Sequence, residues 1–362
     1  MAEHATDLRY LYEALALAAT HQGATGENPS VGCLIVKNGN IIGSGVTALG
    51  GRPHAEPQAL EDAGDAARGA TVYVTLEPCA HYGQTPPCAK ALIEAGVARV
   101  VMATTDPDPR VNGGGKAMLE KAGISCEHID VEEAHAFYKG FFRRIRHGLP
   151  EVTVKAAISA DNCIVRHSTQ WITGPEARND GHQLRANHQA ILTGINTVMA
   201  DDPELTCRIT GMAKRSPTRI VLDRHARLPL SSKLVKSAEI VPVWLLTHHE
   251  AIERNASHVT ELREHGVVVH ALDNPKLPLL DVLQLLGREG VHRLLVEAGP
   301  TLTQAFLDLR LADHAIIYQS PDTLGPDGSG MLRLPETVRS QARREVAPDT
   351  RTIYKLDSCL PD

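Results

Sequence analysis

The tightest constraint on this chain is that three residues, His54, Cys79 and Cys88, have to come to one point. One imidazole and two thiols are the protein ligands a catalytic zinc needs, with the fourth position left open for water. They sit in three short segments, Pro53-His54-Ala55-Glu56, Glu77-Pro78-Cys79 and Pro86-Pro87-Cys88. Thiolates and imidazole suit zinc, and no redox chemistry is required of it. His54 and Cys88 each fall at the start of a predicted helix, where partial positive charge lowers a thiol's pKa and favours thiolate ligation. Glu56, close to the His, is near the metal but free to carry protons. The competing reading is a closed zinc site that only braces the fold. Such a site takes four protein ligands, and no fourth Cys or His stands at matching spacing, with His81 the nearest to consider.

His-x-Glu followed by Pro-Cys and a second Cys is the arrangement of zinc deaminases, in which a metal-held hydroxide attacks and the Glu moves its proton. Some of these enzymes act on RNA or DNA, so charge matters. The net charge of -6 argues against broad nucleic-acid binding. A length of 362 residues predicts two domains, and 43% hydrophobic with 22% charged residues excludes a disordered chain. Seven cysteines in no dense framework, with a thiol zinc site among them, point to a reducing cytoplasm. The N-terminus has no basic-then-apolar signal pattern, and no apolar run reaches membrane-spanning length.

The first half reads as an α/β layer with mainly parallel pairing. Asp7 is expected to cap a helix with Leu8, Leu11, Tyr12 and Leu15 on one face. Strands are expected over 31–36 and 41–42, joined by an Asn38-Gly39 turn, and over 71–76, 97–103 and 124–129. Helices are expected from His54, from Cys88 to a stop at Gly96, and over 116–122 with Gly123 as cap. The metal motifs fall at strand-to-helix junctions, where open α/β sheets bind ligands. Gly113-Gly114-Gly115 could cradle phosphate, but a lone Gly run reads better as a turn. Asn28, read alone, is a turn residue before Pro29. A helix over 131–146, with Phe137, Phe141 and Phe142 among basic residues, reads as a solvated linker and not a nucleic-acid patch. Gly148-Leu149-Pro150 ends it, giving domains 1–147 and 148–362.

Asn28-Pro29-Ser30-Val31-Gly32, His54-Ala55-Glu56 and the run from Thr75 to Cys88 resemble the bifunctional deaminase/reductases of riboflavin biosynthesis. General deaminases have two residues between the cysteines. Here Ala80 to Pro87 intervene, and that long loop ending in Thr-Pro-Pro-Cys is specific to this family. The resemblance implies that Asn28, His81, Thr85 and Asp106 meet substrate. The family usually has Arg where Gln84 stands.

The second half carries apolar runs at 152–158, 190–193, 219–222, 240–247, 267–271 and 291–296, with no repeat and no Gly-x-Gly-x-x-Gly after its first strand. It reads as a second α/β domain without a standard dinucleotide fold. Glu297 to Leu302 opens a helix whose amides could hold phosphate, although Gly-Pro-Thr could equally be a cap. Lys155 to Ser159, Gln170 to Thr173, Leu184 to Ala186, Gly194 to Thr197, Asp201 to Arg208 and Glu297 to Leu302 follow in the order of the same family's reductase half.

The resemblance thus implies a cytidine-deaminase-like domain followed by a dihydrofolate-reductase-like domain. It implies one zinc on His54, Cys79 and Cys88, with Glu56 as proton shuttle, and NADPH in the second domain. Thr169, Arg185, Leu205, Arg208 and Glu297 would meet the ribose phosphate. Ile158, Trp171, Thr197, Asp201, Gly299, Pro300, Thr301, Leu302, Thr303, Gln304 and Ala305 would line the cofactor, and Lys155, Asp201 and Glu297 would surround the reacting sugar. Ala160 and Asn162 stand where the family reads Leu and Gly, Thr169 stands for Ser, and the 161–171 loop is shorter. These departures bear on loop shape. The expected enzyme is a cytoplasmic homo-oligomer acting on a small pyrimidine ribose phosphate, with no nucleic-acid or membrane partner. The rivals are a nucleic-acid deaminase with a degenerate second half and a zinc-braced scaffold.

Overall fold

The computed structural model describes residues 2–83, 85–108, 111–169, 171–335 and 338–362, in two units, Met1–His147 and Gly148–Asp362. Gln84 and Gln170, named above, lie outside the described residues.

In the first unit, strands β1 (Gly32–Lys37), β2 (Asn40–Val46), β3 (Thr71–Val74), β4 (Arg99–Met102) and β5 (Ser125–His128) form one sheet in the order β2-β1-β3-β4-β5. Helices α1 (Ala2–Ala19), α2 (Ala55–Ala63), α3 (Cys88–Ala95), α4 (Gly114–Lys121) and α5 (Glu132–His147) complete it. Cys33, Leu34, Ile35 and Val36 are all buried, as an inner strand covered on both faces requires. Asn38 and Gly39 take φ of +52° and +79°, and Lys37 faces Asn40 across the turn.

That hairpin corrects the expectation of mainly parallel pairing. A two-residue turn can only join antiparallel strands. β1 runs against both β2 and β3, and only β3–β4 and β4–β5 are parallel. Asp7 is also corrected: it lies inside α1 and is 2% exposed. Its carboxylate accepts from Arg99 Nη1 and Nη2 at 2.9 and 2.8 Å and from the Tyr73 hydroxyl at 2.6 Å. A capping Asp and a buried ion-paired Asp look alike in sequence when the partners are distant. α5 is no solvated linker either. Tyr138, Phe141 and Phe142 belong to the core of this unit, and Arg143 is buried with them.

In the second unit the strands are β6 (Glu151–Ile158), β7 (Cys163–Arg166), β8 (Ala190–Gly194), β9 (Thr218–Leu222), β10 (Val243–His248), β11 (Val267–Leu272), β12 (Arg293–Val296), β13 (His314–Gln319), β14 (Gly328–Met331), β15 (Arg339–Val346) and β16 (Asp349–Lys355). Nine of them make a sheet ordered β11-β10-β9-β8-β12-β6-β13-β16-β15, and β14 pairs with β7 separately. Pairing is parallel from β11 to β13 and antiparallel for β16 and β15. Helices α6 (Pro175–Ala186), α7 (Ile195–Asp201), α8 (Lys233–Lys236), α9 (His249–Arg254), α10 (Ala256–Glu264), α11 (Leu279–Arg288) and α12 (Pro300–Asp308) occupy the connections. Neighbouring residues such as Leu294 and Leu295 enter two different cores, so the sheet is covered on both faces.

Candidate functional site

Cys79 follows the end of β3, Cys88 opens α3, and His54 is the residue before α2. His54 Nδ1 lies 3.8 Å from Cys79 Sγ and 3.4 Å from Cys88 Sγ, and the three ligand atoms are all within 4.8 Å of one another. A tetrahedral zinc with ordinary bond lengths separates N and S ligands by about 3.6 Å, so the set fits that ion without rearrangement. It is the metal-ligating cluster found among the described residues. The Cys88 backbone N–H donates to Cys79 Sγ at 3.3 Å, the helix-start contact that favours a thiolate. The Cys79 thiol is held down at about 4, first by its hydrogen bond with Cys88, and the Cys88 thiol is pushed up in turn.

Glu56 sits in the first turn of α2 and is 3% exposed. Burial first, and the Cys79 thiolate second, raise its carboxyl above the usual range. It shares a cavity of about 440 Å³ with His54, Cys79, Asn28, His81 and Asp106. Burial also pushes the Asp106 carboxyl up to about 6. The Asn28 side-chain amide donates to the Gly51 carbonyl at 3.2 Å, and a Cβ on Gly51 would come within 2.6 Å of that nitrogen. Among the described residues the buried His81 Nδ1 has no hydrogen-bond partner. Thr85 lies outside the lining and accepts a hydrogen bond from Arg52 instead.

The glycine run has a role that sequence reading missed. The Glu77 carboxylate accepts from the backbone N–H groups of Gly113, Gly115 and Lys116 at 3.0, 3.1 and 3.1 Å. The run therefore does cradle an anion, and the anion is a buried side chain of this chain. A Cβ on Gly115 would stand 2.0 Å from the Pro78 carbonyl oxygen, so the close approach needs glycine. Two residues from Cys79, this clamp sets where the ligand stands. Arg52, Asp108 and Arg144 also line the cavity and were not among the site residues expected from the sequence.

In the second unit Glu297, at the end of β12, is gripped from two sides. Arg185 donates through Nε to Oε2 at 3.0 Å and through Nη2 to Oε1 at 2.8 Å, and Lys155 Nζ lies 3.2 Å from Oε1. Burial alone would raise this carboxyl, but Arg185 and Lys155 hold it well below the carboxylate range. These three line a cavity of about 510 Å³ with Trp171, Thr197, Asp201, Leu205, Arg208 and Gly299. The Gly299 N–H donates to Thr197 Oγ1 at 2.9 Å. Arg208 pairs with Glu204 at 2.8 Å on the exposed side. Burial raises the Asp201 carboxyl.

The rest of the expected cofactor lining is not brought to this cavity. Ile158 is 5% exposed and belongs to the core, and Pro300, Thr301, Leu302, Thr303, Gln304 and Ala305 are absent from the lining. Leu302 and Ala305 pack on the core, the Thr303 hydroxyl donates to the Ala298 carbonyl, and Gln304 bonds Asp308 and Arg333. Of Gly299 to Ala305, the described lining includes Gly299, and α12 begins immediately after it. Thr169 is likewise outside the lining and donates to the Trp171 carbonyl at 3.1 Å. Asn162 takes φ of +63°, the left-handed conformation Gly would adopt and Asn tolerates, so the turn survives that departure. Arg178, Glu204 and Lys233 line this cavity without having been singled out in the sequence, and the Arg178 guanidinium lies 4.7 Å from the Trp171 ring centroid.

Comparison with known proteins follows this division. Residues 5–104 match the cytidine and deoxycytidylate deaminase zinc-binding region, and residues 150–350 match the RibD C-terminal domain. The chain is 40% identical to the riboflavin biosynthesis protein RibD of Haemophilus influenzae, over 92% of this chain and 91% of that one. It is 40% identical to that of Escherichia coli, over 91% of each. Among solved structures, Acinetobacter baumannii RibD superposes with a TM-score of 0.87 at 37% identity, covering 98% of this chain and 99% of that one. A diaminohydroxyphosphoribosylaminopyrimidine deaminase/5-amino-6-(5-phosphoribosylamino)uracil reductase from Thermotoga maritima gives 0.82 at 28% identity, with the same coverage.

Proposed function

This chain belongs to the RibD family of bifunctional riboflavin-biosynthesis deaminase/reductases, and on that premise we propose the substrate and the residue roles that follow. The first domain, 1–147, hydrolyses the C2 amino group of 2,5-diamino-6-(5-phosphoribosylamino)pyrimidin-4(3H)-one. The second, 148–362, reduces the resulting uracil's ribosyl side chain to ribityl. The observation that carries the reading is the meeting of His54, Cys79 and Cys88 beside a buried Glu56.

His54, Cys79 and Cys88 would hold the zinc, which would supply a water acidic enough to act as hydroxide near neutral pH. Glu56 would take a proton from the water that adds at C2 and return it to the amine as the C2–N bond breaks and ammonia leaves. A carboxyl with a raised pKa suits a group that must both accept and return a proton near pH 7. Asn28, His81 and Asp106 orient the ring, and Thr85 acts from the rim.

In the second domain Trp171, Thr197, Asp201 and Gly299 hold the nicotinamide cofactor, with Ile158 and 300–305 behind them. NADPH supplies the hydride to C1′ of the opened ribose. Asp201, its carboxyl raised by burial, protonates the nitrogen of the C1′=N bond. Lys155 and Glu297 order the sugar, and Arg185, Leu205, Arg208 and Thr169 bind the ribose phosphate, for which the guanidinium fork is well matched. The reading extends to a cytoplasmic homo-oligomer with no nucleic-acid partner. Among the described residues no helix is long and apolar enough to cross a membrane.

The test is turnover of the diaminopyrimidine phosphate with and without NADPH. Without it, ammonia should be released and the uracil phosphate should accumulate. With it, the ribityl product should form in wild type but not in Lys155→Ala, which should still deaminate. Release of no ammonia, or an equal ribityl yield from Lys155→Ala, would contradict the assignment.

A further inference from the structure

Among the described residues the deaminase cavity is lined by five carboxylates, Glu27, Glu56, Glu77, Asp106 and Asp108. The substrate proposed above carries a phosphate monoester, close to two negative charges at neutral pH. That group has to lie away from the carboxylates and against a cation. Among the described residues two arginines line the cavity, Arg52 and Arg144. Arg144 is already engaged: its Nη2 donates to the Glu27 carbonyl at 3.1 Å, and its guanidinium lies 5.8 Å from the Phe141 ring centroid.

Arg52 is differently placed. It is half-buried, and among the described residues its guanidinium has one hydrogen-bond partner and no carboxylate. Nη1 donates to Thr85 Oγ1 at 2.9 Å, and a Cβ on Gly83 would stand 3.3 Å from Nη2. The loop between the two cysteine ligands therefore holds the guanidinium at Thr85 and passes close to it at Gly83. A guanidinium has five N–H donors in a fixed fork, so most of its donors stay available. Thr85 is exposed while Glu56 is buried, so the braced fork stands toward the rim of the cavity and the reacting end toward its floor. A ribose phosphate attached to a ring at the floor would extend toward that rim.

We propose that Arg52, positioned by Thr85 and Gly83, is the phosphate anchor of the deaminase site and sets its preference for phosphorylated over unphosphorylated substrate. This rests on the function proposed above. It also gives the long inter-cysteine loop a task, namely to fix a cation that lies outside the loop itself.

Steady-state ammonia release tests it, with the diaminopyrimidine phosphate and its phosphatase-treated form as paired substrates for wild type, Arg52→Gln and Arg52→Lys. Charge-assisted hydrogen bonds to phosphate are among the strong ones, so Arg52→Gln should shrink the preference for the phosphate, read as a ratio of kcat/KM, by roughly 10- to 100-fold. The loss should appear in the KM for the phosphorylated substrate. Arg52→Lys, which keeps the charge and loses the fork, should recover part of it. Equal losses on both substrates would make Arg52 a structural support and overturn the proposal, as would an unaltered ratio. Wild type releasing no ammonia from either substrate would instead overturn the functional reading, and the anchor with it.

Discussion

Cys79 depends on its neighbours as much as on its place in the chain. Its sulfur accepts from the Cys88 N–H, and its segment is clamped through Glu77 onto Gly113, Gly115 and Lys116. Cys79→Ala or Cys88→Ala leaves two ligands of three, too few for a tightly held ion. Zinc measured by mass spectrometry on purified protein should fall from about one per chain to near zero, and ammonia release with it. Stoichiometric zinc in either variant would mean other residues are the ligands. The ligands and Glu56 could be read from sequence because their types and spacing admit few alternatives. Asp7, Glu77 and Arg52 could not. Each acts through partners distant in the chain, Arg99, the glycine run and Thr85, that no local pattern connects to it.

At the scale of elements, the placing of α2 matters most, since His54 precedes it and Glu56 stands in its first turn. α2 lies on β2 where Gly43 and Gly45 leave room. A Cβ on Gly45 would stand 2.1 Å from the Ala55 carbonyl oxygen, and one on Gly43 2.3 Å from that of Ala59. Gly45→Ala must therefore push the helix away at its His54 end. Overpacking of this kind costs about 1–3 kcal/mol. The variant should unfold at lower temperature and lose zinc to a chelator faster than wild type. The same melting temperature with the same chelation rate would show that the contact does not position the site. The strands and helices of this half were legible because apolar runs, Asn38-Gly39 and Gly96 punctuate them. Strand direction was not: antiparallel pairing of β1 with β3 is a property of the sheet and has no local signal. Nor do the glycines of β2 announce the helix that needs them.

At the scale of the whole chain, each cavity is lined by residues of one unit only. Six of the seven parallel strands of the second unit were visible as apolar runs between helices, and β13 (His314–Gln319) was not among them. β15 and β16 were not, because β15 (Arg-Ser-Gln-Ala-Arg-Arg-Glu-Val) is exposed along nearly its whole length and has no apolar alternation. α12 opens with Gly-Pro-Thr, and its Leu302, Ala305, Phe306 and Leu307 pack on the core of the second unit while the Thr303 hydroxyl donates to the Ala298 carbonyl.

The central claim is that one buried carboxylate runs the first reaction and none of the second. Glu56→Gln keeps the size of the side chain and removes its proton chemistry, so zinc should remain. General acid/base catalysis is worth ~10²–10⁴-fold, and a group that serves both proton transfers belongs at the upper end. Given the diaminopyrimidine phosphate and NADPH, this variant should release almost no ammonia and leave NADPH unoxidised. Given the deaminated uracil phosphate directly, it should oxidise NADPH at close to the wild-type rate. Normal deamination by Glu56→Gln, or equally poor reduction of the supplied uracil phosphate, would contradict the account.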